Sequence, residues 1–314
     1  MGRSPRRLAV GAAVRLQRVW LDGVIPGVAG LAADWRSPGQ VVYRWPLGPI
    51  PIGSRPCVFA HWDGAGEVRP PVRHYLRELA GAGLSVLFVS NAGFLRPEAL
   101  AAVQTMCAGV LIRRNAGYDF GAWREGFAAL GLPRADTEFA VMANDSVYGP
   151  LTPMRDLLGH VDPARGDFWG CTETWQSRYH LQSYWLAFAP RVLASRAWAA
   201  FWAGVRPVPS KRYVILRYEI GLTQALLRAG FAGRAIWPYA ALAEGDPRAV
   251  PLNPTSDLWR PLLDAGFPFI KRELLRRNPT RVPGVGAWRE VCDRLGLDVS
   301  SIEADLGCQP RRTT

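Results

Sequence analysis

CVFAHWDGAGEVRPPVRHYLRELAGAGLSVLFVSN, residues 57–91, decides the fold class. VFAHW (58–62) and SVLFVSN (85–91) are short, almost wholly apolar runs, as strands buried on both faces require. Between them, residues 68–82 place apolar side chains at helical spacing. The same alternation continues downstream. A helix opens near Arg96-Pro97-Glu98, GVLIRRN (109–115) is a third strand, and Phe120–Leu130 a third helix. EFAVMAN (138–144) is a fourth strand that runs into Asp145-Ser146. The pattern predicts an α/β domain with a mostly parallel sheet flanked by helices. In such sheets ligands sit outside the carboxyl ends of the strands. Polar residues collect there: His61-Trp62-Asp63, Ser90-Asn91, Arg113-Arg114-Asn115 and Asn144-Asp145-Ser146.

Beyond residue 160 the rhythm changes. DFWGCTETW (167–175), HLQSYWLAFAP (180–190) and RAIWPY (234–239) read as strands, with helices over residues 191–204 and 213–229. The tail predicts helices over Asp257–Asp264, Phe269–Arg277 and Ala287–Leu295. Upstream, a helix is expected over Arg7–Leu21, followed by a Pro/Gly-rich passage ending at WPLGPIPIGSRP, where repeated prolines oppose regular structure. The chain thus divides into a basic N-terminal extension (1–56), the α/β domain (57–250) and a helical C-terminal region packing on the core (251–314).

Composition narrows the function classes. Of 314 residues, 49% are hydrophobic and 20% charged, which supports a full core and excludes a mainly disordered chain. No uncharged apolar run reaches the ~18–20 residues that span a bilayer. Arg15 and Arg18 interrupt the basic opening, so no cleaved signal peptide is expected and the chain reads as cytoplasmic. Five scattered cysteines without a C-x-x-C pair fit reduced thiols better than a disulfide framework or a zinc site. The net charge is +12, and residues 1–56 hold eight Arg against two Asp, half of that excess. The nearly balanced remainder argues against nucleic acid. The basic extension suits peripheral contact with the inner face of the cell membrane, or is simply an Arg-rich extension.

Three clusters can carry chemistry. Asn144-Asp145-Ser146 ends a strand, and Asp145 could hold a divalent cation (Mg or Mn) or cap the helix near residues 153–159. RRNAGYDFGAW (113–123) could offer a guanidinium fork to phosphate, with Asp119 and Phe120 holding a base or ribose; the alternative is a helix start with Asp119 as N-cap. ILRYEIGLTQALLRAG (215–230) is an amphipathic helix in which Ile215, Leu216, Ile220, Leu222 and Leu226 flank Glu219. A partly buried carboxylate suits a general base, and a solvated one does not. Dinucleotide, P-loop, nucleophile-elbow and zincin motifs are absent.

The segments VFAHWD (58–63), VSN (89–91), RRNAGYDFGAW (113–123), NDSVYGPL (144–151), DFWGCTE (167–173), HLQSYWLAF (180–188) and YEIGLTQ (218–224) occur in a recognisable order. From Cys57 to about Tyr239 the chain resembles the rhamnan synthesis protein F family of bacterial cell-surface polysaccharide glycosyltransferases. NPTSDLWRPLLDAGFPFIKRELLRRNP (253–279) is similar to a stretch that follows such domains. The resemblance implies a GT-A-like fold and a rhamnosyltransferase-like hexosyltransferase. Such an enzyme would take a dTDP-rhamnose-like donor and a glycan or lipid-linked glycan acceptor, with inversion. It implies Glu219 as general base and Asp145 as metal or diphosphate ligand. Asp63, Asn115 and Asp119 would contact the nucleotide, with His61, Asn91, Arg113, Arg114, Gly117, Asn144 and Ser146 also at the donor. His180 and Gln182 would meet sugar or acceptor, and Trp169, Trp175 and Trp185 would offer stacking surfaces. One carboxylate stands where the family fold has Asp-x-Asp, so Arg113, Arg114 or Lys211 are further candidates for neutralising the diphosphate. Two other readings stay open: a sugar-phosphate transferase, and a non-catalytic glycan-binding partner in a synthesis complex.

Overall fold

The structure is a computed structural model in which residues 40–249 and 251–307 are described. The helix expected over Arg7–Leu21 and the thiol of Cys308 lie outside the described residues. The other four cysteines, Cys57, Cys107, Cys171 and Cys292, are buried thiols without disulfide partners.

The N-terminal half follows the predicted alternation closely. Strands β2 (Pro56–His61), β3 (Ser85–Ser90), β4 (Gly109–Arg113) and β5 (Ala140–Asn144) alternate with helices α1 (Pro70–Gly81), α2 (Pro97–Met106) and α3 (Tyr118–Leu130). Pro at the first turn of α1 and α2 helps start each helix, because its missing N–H is not needed there. Strand β1 (Val41–Trp45) falls inside the stretch read as extension and pairs antiparallel with β4. Its five residues, VVYRW, end just before the first of the prolines that obscured them.

After β5 come the short strand β6 (Val147–Tyr148) and α4 (Met154–Leu158). Strand β7 (Phe168–Thr174) then turns back through β8 (His180–Leu181) and β9 (Trp185–Phe188). The single strand expected over 180–190 is therefore one hairpin arm interrupted by a bulge. Pairings Glu173↔Leu181 and Gly170↔Leu186 leave four residues, 182–185, opposite two, 171–172. Helices α5 (Pro190–Leu193), α6 (Arg196–Gly204), α7 (Lys211–Val214) and α8 (Ile220–Arg228) lead to β10 (Gly233–Trp237).

The nine-stranded sheet has the order β1-β4-β3-β2-β5-β9-β7-β10, with β8 beside β7. The mostly parallel sheet that the strand pattern predicted is in fact mixed. Four of its ladders are parallel and four antiparallel. The cause is the five-residue connection from β7 to β8, too short for the crossover that a parallel return needs. β9, on that returning arm, inserts between β5 and β7 and runs against both.

Successive residues of β2 face opposite sides: Cys57 and Phe59 enter one core, Val58 and Ala60 the other. Tyr75, Leu76 and Leu79 of α1 cover the first face; Trp123 and Phe127 of α3 with Trp198 and Trp202 of α6 cover the second. A third, smaller core joins Tyr148 to Trp259, Leu274, Trp288 and Ile302 of the tail.

That tail consists of α9 (Pro254–Asp257), α10 (Trp259–Asp264), β11 (Ile270–Lys271), α11 (Arg272–Arg276), α12 (Trp288–Arg294) and α13 (Ser300–Gly307). The helix predicted over Phe269–Arg277 begins as strand because Ile270 and Lys271 pair with β6. Gly149 makes the approach feasible: its φ is +124°, and a Cβ there would lie 2.4 Å from the Pro268 carbonyl oxygen. Leu151 N–H donates to the same carbonyl at 2.8 Å, and Arg272 N–H to the Ser146 carbonyl at 3.0 Å. The tail is thus locked beside the Asn144-Asp145-Ser146 turn.

Candidate active site

The carboxyl ends of β2 and β5, the start of α3, the β8–β9 bulge and residues 271–277 surround a cleft of about 830 Å³. Among the residues singled out from the sequence, Trp62, Asp63, Asp119, Phe120, Asn144, Asp145, Ser146, His180, Gln182, Lys211, Ile215 and Glu219 line it.

The others lie elsewhere. His61 is buried and shares a 3.1 Å hydrogen bond with Ser90 Oγ; burial holds its imidazole below the ordinary value, against the pull of Asp145 and Asp63. Arg113 is fully buried and donates to Asn91 Oδ1, to the Ala116 carbonyl and to Glu125. It therefore supports the start of α3 from below. A Cβ at Gly121 would lie 2.3 Å from the Ala116 carbonyl oxygen and 3.0 Å from that guanidinium, which explains a glycine inside the helix. Arg114 and Asn115 are exposed at the end of β4. With β3 and β2 between β4 and β5, that end stands roughly 14 Å across the sheet from β5. Gly117 (φ +83°) packs on the backbone of Arg206 and Pro207. Trp169 and Trp185, expected as stacking surfaces, are 2% and 0% exposed in the core because strand alternation turns them inward. Trp175 packs on Tyr179 and Tyr239.

One wall of the cleft is acidic. Asn144 organises it: its Nδ2 donates to Asp119 Oδ2 at 2.9 Å, while its Oδ1 accepts from Ser146 N–H and Oγ at 3.1 and 2.6 Å. Gly117, not Asp119, is the N-cap of α3. Burial, reinforced by the charge of Asp145, pushes the Asp119 carboxyl up to about 7. Glu219 ends a π-helical turn, Ile215–Glu219, in which Ile220 N–H reaches back to the Ile215 carbonyl. Such a turn re-aims a side chain relative to a regular helix. Ile215 and Leu216 consequently face solvent, at 37% and 39% exposure, and do not cover Glu219. What holds Glu219 is the bulge: Ser183 N–H and Oγ both donate to its Oε1, at 3.0 and 2.9 Å. Among the described residues no hydrogen bond reaches Oε2. In the same bulge Gln182 donates to Asn253 and accepts from Thr172; in β8, just before it, His180 Nδ1 meets the Arg178 carbonyl.

The facing wall is cationic and was not anticipated. It is built from Lys271, Arg272, Arg276 and Arg277 of the tail, with Arg69. Arg272 Nη1 donates to the Asp145 carbonyl at 2.8 Å and to its Oδ2 at 3.1 Å. Arg276 donates to Tyr148 Oη at 2.9 Å and pairs with Asp305. Arg69 binds Asp63; burial opposes the shift, but this guanidinium and the Ala65 and Glu67 amides hold the Asp63 carboxyl below its usual value. Burial pushes the Lys271 ammonium down while Glu219 pulls it up. Arg272 and Arg276, four apart, share one helix face, a signal in the sequence but one that many exposed helices carry.

The divalent cation that the family fold implies does not fit this donor set. Asp145 Oδ2 already accepts from Arg272 and from Trp62 N–H, and Asn144 Oδ1 is spent on Ser146. Among the described residues no three His, Cys, Asp or Glu side chains are grouped to hold an ion. A dication beside a guanidinium also meets like charge, about 4 kcal/mol per unit charge at 4 Å near a protein surface.

Residues 86–291, two thirds of the chain, match the rhamnan synthesis protein F family. The chain belongs to this family. Membership ties it to polysaccharide synthesis. It is 31% identical over 160 residues to the uncharacterized protein y4gN of Sinorhizobium fredii, covering 50% of this chain and 42% of that one. It is 28% identical over 203 residues to virulence protein VirA of Vibrio anguillarum, covering 56% and 65%. The chain thus spans less than two thirds of the length of these relatives. No helix among the described residues is long and apolar enough to cross a membrane.

Proposed function

We propose that the cleft is the active site of an inverting GT-A-like glycosyltransferase. It would move a sugar, L-rhamnose from its dTDP-activated form, to a hydroxyl of a growing cell-surface polysaccharide. The observation that carries this reading is one cleft with a fixed carboxylate, Glu219, and a wall of cations. Ser183 anchors Oε1, which leaves Oε2 to take the acceptor proton. As that proton moves, the acceptor oxygen bonds to the anomeric carbon, and the bond to the diphosphate breaks with its electron pair leaving on phosphate. The oxocarbenium-like state between needs cations at the leaving group. The Asp145 carboxylate is charge-paired with Arg272, and burial pushes the Asp119 carboxyl up to about 7, which makes both poor nucleophiles for a retaining route. Asp63, Asn144 and Ser146 contact the donor; His180 and Gln182 contact sugar or acceptor. The six arginines before residue 40 would rest on the anionic inner leaflet where lipid-linked acceptors reside.

The test is a panel of nucleotide sugars offered to purified protein with a glycan acceptor. Acceptor-dependent release of nucleoside diphosphate from dTDP-L-rhamnose is expected. A phosphodiester product would identify a sugar-phosphate transferase. Polymer formation surviving Glu219→Ala would identify a glycan-binding partner.

A further inference from the structure

We infer that the leaving diphosphate is held by tail arginines, Arg272 foremost with Arg276, fastened from behind by the buried Asp305, and not by a metal ion on Asp145. The inference rests on the transferase reading and names the groups that take its leaving group.

Arg272 lines the cleft with its side chain 16% exposed. Both of its hydrogen bonds leave from Nη1, toward Asp145; among the described residues its Nε and Nη2 donate to nothing. Nη2 lies 3.9 Å from Asp305 Oδ2, and the guanidinium stacks 5.6 Å from the Tyr148 ring centre. A guanidinium fixed by one nitrogen, with others unspent beside a cleft, is arranged for bidentate recognition of phosphate. Asp145 then has the role of orienting Arg272.

Asp305 explains why the arginines converge. Its side chain is 0% exposed, and Arg69, Arg272 and Arg276 approach it at 3.7, 3.9 and 2.5 Å. Tyr148 Oη donates to its Oδ2 at 2.7 Å, whereas Oδ1 accepts no hydrogen bond among the described residues. One buried carboxylate facing three guanidinium groups orders them without cancelling their charge. It sits on α13, packed against α1, so the last described helix fastens the cationic wall.

The probes are dTDP and inorganic pyrophosphate, with binding to the full chain measured calorimetrically in EDTA and again in magnesium. Binding in EDTA within about threefold of that in magnesium is expected. Arg272→Ala should weaken it ~10–100-fold, the scale of a lost hydrogen bond to a charged group. Arg272→Lys, which keeps the charge and loses the fork, should fall between and covers the case in which the alanine variant does not fold. Asp305→Asn should weaken pyrophosphate binding while its melting profile shows a folded chain. Binding abolished by EDTA and restored by magnesium, or unchanged in both Arg272 variants, overturns the inference. Arg272-dependent pyrophosphate binding without transfer from any nucleotide sugar would keep the subsite and remove the transferase reading. Magnesium-dependent transfer insensitive to Arg272 would do the reverse.

Discussion

The two walls of the cleft were built by different means. The acidic wall comes from strand ends and helix starts of the α/β domain, where Asn144 bridges Asp119 and Ser146, and Ser183 holds Glu219. The cationic wall comes, apart from Arg69, from a tail segment that follows Glu219 by more than fifty residues, brought in by the two-residue ladder between β6 and β11. The first wall arises from local order: a strand that ends in a polar residue presents it at the sheet edge. The second exists only because Gly149 lets the Pro268 carbonyl approach and Arg272 reaches Asp145. The comparison teaches that the carboxylates alone describe half a site. Their charges are matched by partners that no strand pattern announces.

If the acidic wall does the proton chemistry, its removal should cost most. Glu219→Gln keeps the size and the bond from Ser183 and removes basicity. Turnover should fall ~10²–10⁴-fold while dTDP affinity stays constant. A mutant that binds dTDP poorly but turns over normally would move Glu219 from base to binding residue. Next is the contact joining the walls. Asp145→Asn should lower kcat ~100-fold, with EDTA leaving the wild-type rate unchanged. Asp145→Glu should restore part of it, which a merely structural role would not predict. Near-wild-type rates for Asp145→Asn would separate the two walls functionally.

A third variant attacks the docking of the tail. Gly149→Ala places a Cβ 2.4 Å from the Pro268 carbonyl at a φ of +124°. A loss of about 2 kcal/mol in denaturant stability is expected, the scale of a strained backbone position. Unchanged stability would mean that the β6–β11 contact gives way easily.

The smallest effect concerns Asp119, whose carboxyl burial raises from 3.8 to about 7. Between those values the folded chain keeps a proton that the unfolded chain has lost. The contribution of Asp119 to stability is therefore greatest at low pH and is lost as pH rises through about 7. Asp119→Asn should melt about 2–4 °C above wild type near pH 8, allowing for the partial exposure of the group, with the gap closing toward pH 5. A pH-independent difference would show that Asp119 is charged throughout.

Much of the molecule was legible before any coordinates. The strand–helix alternation from Cys57 to Asn144 is there in apolar runs and proline helix starts, because a strand buried on both faces must be apolar whatever surrounds it. Glu219, Asp145, Asn144 and Asp119 could be found as polar residues at strand ends or in a helix that stood out from its neighbours. Strand β1 was hidden by the prolines that follow it, and the bulge at 182–185 by the strand-like residues on both sides of Gln182-Ser183, which read as one strand.

What only the tertiary structure decided is direction and partnership. The sequence marks a strand without saying which way it runs; the short turn after β7 reversed β8 and β9 and made the sheet mixed. It marks an arginine without saying what it faces. Arg113, prominent at a strand end, is consumed beneath α3, whereas Arg272, indistinct in a basic tail helix, holds Asp145. Periodicity reports burial, which each residue experiences along its own element. Charge pairing depends on which distant elements meet, and that is set by packing of the whole chain.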